Sequence, residues 1–87
     1  MNIEEEIHKR LQALSPSSLA LEDESAQHAG HAGAAGGGKH YRLTIVSSRF
    51  AGLNAVERHR LVYQTLGELM QKRIHALAIN AYAPEEF

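Results

Sequence analysis

A long amphipathic helix separates the last two predicted strands, and this order limits the folds that the chain can adopt. Residues 40–47 and residues 75–81 each carry apolar side chains at every second position, which predicts two strands. Residues 55–73 predict the helix, because apolar side chains recur on one face: Val62, Leu66, Leu69 and Met70. If the two strands are neighbours, a helical crossover makes them parallel, with a right-handed connection.

The first half of the chain predicts one more helix and one more strand. Apolar residues recur at helical spacing over about residues 3–14, and Pro16 stops that helix. A short strand follows at about residues 19–22 and most simply forms an antiparallel hairpin with the second strand. The predicted order is therefore α-β-β-α-β. It gives one α/β (α+β) domain over residues 1–87, in which helices pack on a three-stranded mixed sheet.

Histidines mark one end of this predicted sheet. His28 and His31 lie within residues 27–39, a Gly/Ala-rich segment that predicts a flexible loop because glycine gives the backbone wide freedom. His75 opens the third strand. If the last two strands are parallel, His75 shares the sheet end where this loop lies; if they were antiparallel, it would lie roughly 20 Å away. Neutral imidazole binds iron, zinc or copper, so the parallel arrangement predicts a shared metal site.

The ligands of such a site leave alternatives open. Two histidines fill about half of a tetrahedral site, and the chain contains no cysteine. A partner that supplies thiolates would complete the site, as mixed histidine and cysteine ligation does in some two-iron clusters. Zinc held by four histidines of this chain is a second possibility: His28, His31, His40 and His75. The third is that these histidines are ordinary loop and strand-end residues.

Charge and composition exclude several classes of function. The net charge is −1, which gives no overall attraction to nucleic acid or to a membrane, and no apolar run is long enough for a membrane helix. No catalytic constellation stands out, so we expect a protein that is not an enzyme. Residues 39–60 nevertheless hold five basic residues and one acidic residue, which could form a local basic face.

The basic residues at the start of the second helix are the candidates for nucleic-acid contact. Arg58, His59 and Arg60 point about 100° apart in a helix, so they cannot form one stripe. One or two of them could contact phosphates together with Lys39 or Arg49. The alternative is a solvated helix start in which these side chains bind local backbone or carboxylate groups.

Three sequence runs carry a specific family resemblance. They are SSRFAGL at 47–53, RHRLVYQTL at 58–66 and IHALAINAYAPEE at 74–86. Together they give the combination F-x-G…R-H-R-x-V-Y…H-A-L, and DES at 23–25, followed by a loop histidine, and His40 before an aromatic residue also match. The chain resembles the BolA family over nearly its whole length. The resemblance implies a fold similar to class II KH domains, without their G-x-x-G nucleic-acid loop.

The resemblance also implies partners and sites. BolA-like proteins pair with monothiol glutaredoxins, either without a cofactor or bridged by a [2Fe–2S] cluster, in iron homeostasis or cluster trafficking. The partner and its glutathione give thiolates, while the BolA-like chain gives His75 and a loop histidine, for which His28 and His31 are rivals. Some members bind DNA as transcription regulators, which maps to Arg58, His59 and Arg60, with Arg49 and Lys39. We expect a cytoplasmic protein that alone is a monomer or a weak dimer.

Overall fold

A computed structural model describes residues 2–24 and 39–87, including the main chain of Lys39 and His75. The helices and strands follow the predicted α-β-β-α-β order. In chain order they are α1 (Ile3–Leu11), β1 (Ser18–Asp23), β2 (Lys39–Val46), α2 (Ala55–Leu66), α3 (Leu69–Lys72) and β3 (Ile74–Tyr82). Short 3₁₀ turns lie at Gln12–Leu14, Ser48–Phe50 and Pro84–Glu86. No helix in the described ranges is long and apolar enough to cross a membrane.

The sheet has the order β1-β2-β3, and its pairings confirm the predicted topology. β1 pairs antiparallel with β2, from Ser18 opposite Val46 to Asp23 opposite Tyr41. β2 pairs parallel with β3, up to Val46 opposite Tyr82. The crossover through α2 therefore returns the chain to the end of the sheet where β2 begins, as predicted from the helix between the two strands.

One face of the sheet and the two longer helices enclose the core. Alternate side chains of β2 point to the helices and are buried, whereas Arg42 between them is exposed. The buried apolar residues come from every α-helix and strand except β1, whose leucines are half-buried against them, and from the first two 3₁₀ turns. The most deeply buried are Ile7, Leu11, Leu43, Ile45, Phe50, Val62 and Leu66. Ser47 is the buried polar residue here, and its hydroxyl donates to the carbonyl of Leu14 at 2.6 Å.

The second helix begins as its sequence indicates but ends earlier than predicted. Asn54 and Glu57 form a reciprocal capping box, with both hydrogen bonds at 2.9 Å. The prediction of one helix over residues 55–73 was wrong, because α2 ends at Leu66 and α3 starts three residues later. Gly67 has φ +59° and ψ −132°, a conformation that glycine adopts easily and that ends the helix.

A side chain from the first helix completes this break. The Nη1 atom of Arg10 donates to the carbonyl oxygen of Leu66 at 3.0 Å, which satisfies one of the carbonyls left unpaired at a helix end. A Cβ atom built on Gly67 would lie 3.1 Å from the same nitrogen. Gly67 is therefore closely packed against Arg10, and this contact joins α1 to the end of α2.

Candidate functional site

The parallel pairing of β2 with β3 places the main chain of His75 at a defined end of the sheet. At this end the Glu24 amide donates to the carbonyl of His40 at 2.8 Å, and His40 lies opposite Ala76. The last residues of β1 and the first residues of β2 and β3 therefore meet there. Glu24 and Lys39 are the described residues that flank the histidine-containing segment. His28 and His31 themselves lie outside the described residues, so their predicted meeting with His75 stays a prediction.

His75 occupies an irregular position in the sheet. Lys39 lies opposite Ile74, whereas the next residue of β2, His40, lies opposite Ala76. Three residues of β3 therefore face two residues of β2, and His75 is the extra one. Such β-bulges bend a strand locally and are common beside functional sites, where they redirect a side chain. The sequence contains no local signal for this bulge, and our reading of an even alternation from His75 onwards missed it.

A buried tyrosine anchors this end of the sheet to the first helix. Tyr41, the residue after His40, is almost fully buried, and its hydroxyl donates to Glu4 Oε2 at 2.5 Å. Burial raises the pKa of Tyr41 well above its usual value, and the negative charges of Glu4 and Asp23 raise it further, against an opposing effect of Arg73. The tyrosine therefore stays protonated and holds the start of β2 in a fixed position.

The described residues do not form a metal site by themselves. Over residues 2–24 and 39–87, no group of three or more histidine, cysteine, aspartate or glutamate side chains is placed to hold a metal ion. The four-histidine zinc alternative includes His28 and His31, which lie outside these ranges, and so it is not tested. His40 lies at the same sheet end, but the predicted zinc site depends on more than this residue.

Arg58 is bound within the protein. Its Nε donates to the Leu53 carbonyl at 2.9 Å, and its Nη1 donates to the Ala81 carbonyl at 3.0 Å. Both terminal nitrogens bind the Glu86 carboxylate, at 2.6 Å and 2.9 Å, and the Arg58 side chain is 12% exposed. The hydrogen bond from Arg58, with that from the Ala83 amide, lowers the pKa of Glu86 to about 2. A contact between Arg58 and DNA would require this ion pair to open.

The other basic candidates lie in separate places. His59 lines a groove beside the second half of β3, with Asn80 and Tyr82. Arg60 faces another groove, of about 420 Å³, which Arg49 also lines. Arg58 lines the same groove as His59, whereas Arg60 faces the other one, so the three residues do not form one stripe, as the helical geometry predicts.

Lys39 is distant from these basic residues. Its main chain starts β2, whereas Arg58 contacts Ala81, which lies opposite Ile45 near the end of that strand. Ile45 lies six residues after Lys39 along β2, so the two positions are roughly 20 Å apart. The structure brings Arg49 and Arg60 together and leaves Lys39 at the histidine end.

Sequence reasoning did not identify the pairing of Arg58 with Glu86 or the shared groove of Arg49 and Arg60. Glu86 is 28 residues from Arg58, so no local pattern joins them. The one available signal was the acidic pair Glu85 and Glu86 after the last strand, which could have been matched to the basic helix start.

Comparison with known proteins identifies the family. The family model described as "BolA-like protein" matches residues 11–86. BolA-like protein 1 of Mus musculus is 47% identical over 76 residues, which cover 87% of this chain and 53% of that protein. The DNA-binding transcriptional regulator BolA of Vibrio cholerae is 42% identical over 86 residues, covering 98% of this chain and 78% of the regulator.

A solved structure shows the same fold. BolA1 from Arabidopsis thaliana superposes with a TM-score of 0.84 at 43% identity, covering 100% of this chain and 97% of that one. The chain spans about half the length of the mammalian relatives that it matches. The sequence match over most of the chain and the shared architecture show that the chain belongs to the BolA-like protein family.

Proposed function

We propose that this chain is a non-enzymatic adaptor that binds a monothiol glutaredoxin and shares a bridging [2Fe–2S] cluster with it, in iron homeostasis or iron–sulfur cluster trafficking. The observation that supports the proposal most is the parallel pairing of β3 with β2. It sets the main chain of His75 at the sheet end where Glu24 and Lys39 flank the segment that carries His28 and His31.

The donor set of the chain suits a cluster that is shared with another molecule. His75 and one loop histidine, His28 or His31, would supply two neutral imidazoles, which are good ligands for iron. The chain has no cysteine, so the thiolates would come from the glutaredoxin and its glutathione. Imidazole ligation by these residues would give such a cluster a higher reduction potential than ligation by four cysteines.

Two features of this chain would favour binding the cluster jointly with a partner over binding it alone. Tyr41 and its bond to Glu4 fix the start of β2, so the strand beside His75 offers a stable edge for the ligand. The other ligand lies in a glycine-rich stretch, and ordering such a stretch costs conformational entropy that opposes metal binding by the chain alone. Contact with a partner would add the missing binding free energy.

Coexpression with a monothiol glutaredoxin tests the proposal. We expect the copurified pair to be coloured, with visible absorption and visible circular dichroism bands, and each chain expressed alone in the same host to give a weaker or different spectrum. The spectra should be recorded without oxygen, with iron and acid-labile sulfide assays on the same sample. A pair that copurifies without iron and sulfide would reject the shared cluster but keep the partnership, and failure to copurify would reject both.

A DNA-binding regulator is the second candidate function, favoured by the groove that Arg49 and Arg60 share. Among the described residues neither arginine takes part in an ion pair, and both are exposed. Two guanidinium groups on one open groove could bind neighbouring phosphates. The groove follows the end of β2 and so lies away from the sheet end of His75. The two functions would therefore use different surfaces and would not exclude each other.

Salt dependence tests this second function. Binding to duplex DNA should weaken with salt at a log–log slope of about −0.9 per phosphate contact. Replacing Arg49 and Arg60 together by alanine should make the slope less steep by about 2, because two phosphate contacts are lost. A control replaces Lys9 and Arg42, which are also basic and exposed but lie elsewhere, Arg42 in an ion pair with Glu24. Equal loss in both double variants would indicate a nonspecific charge effect, and binding that does not respond to salt would exclude this groove.

A further inference from the structure

One side of α2 presents large apolar side chains to solvent. Val56 and Tyr63 are seven residues apart, so they lie one above the other on the same side of the helix, and they are 57% and 40% exposed. In the described ranges only Phe87 is another exposed large apolar residue. Arg60 lies between Val56 and Tyr63 along the helix and is also exposed. These three residues form what we call the α2 face.

A groove runs beside the α2 face and shares Arg60 with it. Its volume is about 420 Å³, and its lining residues come from α2 and from the segment between β2 and α2: Arg49, Leu53, Glu57, Arg60, Leu61 and Gln64. Leu53 and Leu61 are half-buried, so they give the groove apolar surface beside the two arginines. Apolar and basic groups are therefore combined both on the α2 face and in the groove.

The arginines of the groove differ from the others in the chain. The remaining four arginines each form an ion pair with a glutamate: Arg10, Arg42, Arg58 and Arg73. Over residues 2–24 and 39–87, Arg49 and Arg60 form no such pair. Glu57 also lines the groove, but its carboxylate accepts from the Asn54 amide at 2.9 Å and belongs to the capping box. The groove thus offers two guanidinium groups to the carboxylates of another molecule.

We propose that the α2 face and the adjoining groove bind an acidic amphipathic helix of another protein. Its carboxylates bind Arg49 and Arg60, and its apolar side chains cover Val56, Tyr63 and the leucines of the groove. The α2 face spans about 10 Å, which is roughly two helical turns and matches the apolar side chains that a docked helix presents three, four and seven residues apart. Tyrosine and arginine are also enriched among the residues that dominate the binding free energy of protein interfaces.

The apolar part of this surface distinguishes a protein segment from duplex DNA. DNA phosphates would use Arg49 and Arg60 but leave Val56 and Tyr63 uncovered. An amphipathic helix covers the arginines and the apolar side chains together. The proposal goes beyond the adaptor function and requires neither the glutaredoxin nor the cluster, so its test uses neither.

Titration of the whole chain with synthetic peptides tests the proposal. The probe is a helical peptide of about 14 residues that carries leucines along one face and glutamates on both sides of that face. The control is a scrambled peptide of the same composition that has no apolar face. Amide chemical shifts and calorimetry measure binding. The patterned peptide should shift the amides around Arg60 and should bind at least about fivefold more tightly than the scrambled peptide.

Two pairs of variants examine the apolar and the basic part of the surface separately. Tyr63→Ala should weaken peptide binding by at least about fivefold, whereas Phe87→Ala, which also removes an exposed ring, should leave it unchanged. Arg60→Glu should weaken binding by at least about threefold, because an attraction becomes a repulsion. Lys9→Glu makes the same change of charge on the exposed side of α1 and should have little effect.

A charge swap guards against a folding defect. The double variant Arg49→Glu and Arg60→Glu should bind a peptide that has lysines in place of the glutamates more tightly than the wild-type chain does. The proposal is overturned if this swap fails in a folded variant, if the patterned and scrambled peptides bind equally, or if neither binds at about 1 mM. DNA binding that Arg60→Glu weakens and Tyr63→Ala does not, without peptide binding, would assign the groove to DNA and also overturn it.

Discussion

Replacing His75 by alanine is expected to remove the cluster spectrum of the coexpressed pair while the two chains still associate. The proposed cluster takes one of its ligands from this histidine, and the chain has no cysteine that could replace it. Even residues that only support a metal ligand cost about 10–100-fold in affinity when mutated, so removal of the ligand itself should cost more. The measurements are visible absorption, visible circular dichroism and the iron content of the copurified complex.

A matched histidine elsewhere in the fold provides the control. His59 lies in the groove beside Asn80 and Tyr82, toward the opposite end of β3 from His75. His59→Ala should therefore leave the spectrum unchanged. Cluster content that is the same in the His75→Ala and wild-type complexes would reject His75 as a ligand, even if the glutaredoxin still binds.

The same spectra separate the two rival loop ligands. Single replacements His28→Ala and His31→Ala should differ, with the larger spectral change in the variant that loses the second ligand. An equal and small effect of both would indicate that neither histidine alone is required, and that either one can serve as the ligand.

Phe50→Ala is expected to produce one of the largest losses of stability among alanine substitutions in the core of this chain. Phe50 is 0% exposed and lies in the 3₁₀ turn Ser48–Phe50, which carries the chain from β2 toward α2. Removing a buried phenylalanine typically costs about 3–5 kcal/mol, because transfer free energy is lost and a cavity remains. Domains are stable by only about 5–15 kcal/mol, so the variant should lose a large share of the total. Urea unfolding followed by circular dichroism at 222 nm measures the difference.

The second phenylalanine of the chain is the natural comparison. Phe87 is 73% exposed, and its ring packs on Tyr82 with the centroids 5.4 Å apart. Phe87→Ala should change the free energy of unfolding by no more than about 0.5 kcal/mol. A loss below about 1 kcal/mol for Phe50→Ala would show that the turn after β2 does not depend on this side chain.

The sequence predicted the architecture because the decisive signals were local. Alternation identified the strands, and helical periodicity identified the helices. The parallel direction of β3 then followed from the helix between two neighbouring strands, since the chain must return across the sheet to start the next strand. The helix end at Gly67 was missed because the apolar periodicity continues past it, through Leu69 and Met70.

The candidate sites were harder to predict, since they depend on contacts between distant residues. Arginine is a residue type that often binds phosphate, and Arg58 was therefore a candidate. In the folded chain its guanidinium instead donates to Glu86 and to two carbonyl groups. Arg49 and Arg60 come from different elements and share a groove only because the turn after β2 folds back beside α2.

What the sequence determined by itself is the order and direction of the strands, and with them the end of the sheet at which His75 lies. These follow from backbone geometry and from side-chain periodicity, which act over a few residues. Tertiary structure alone decided the bulge at His75, the ion pair of Arg58 with Glu86, and the groove that Arg49 and Arg60 share. Each of these depends on which groups from distant parts of the chain satisfy one another's hydrogen bonds and charges once the core has packed.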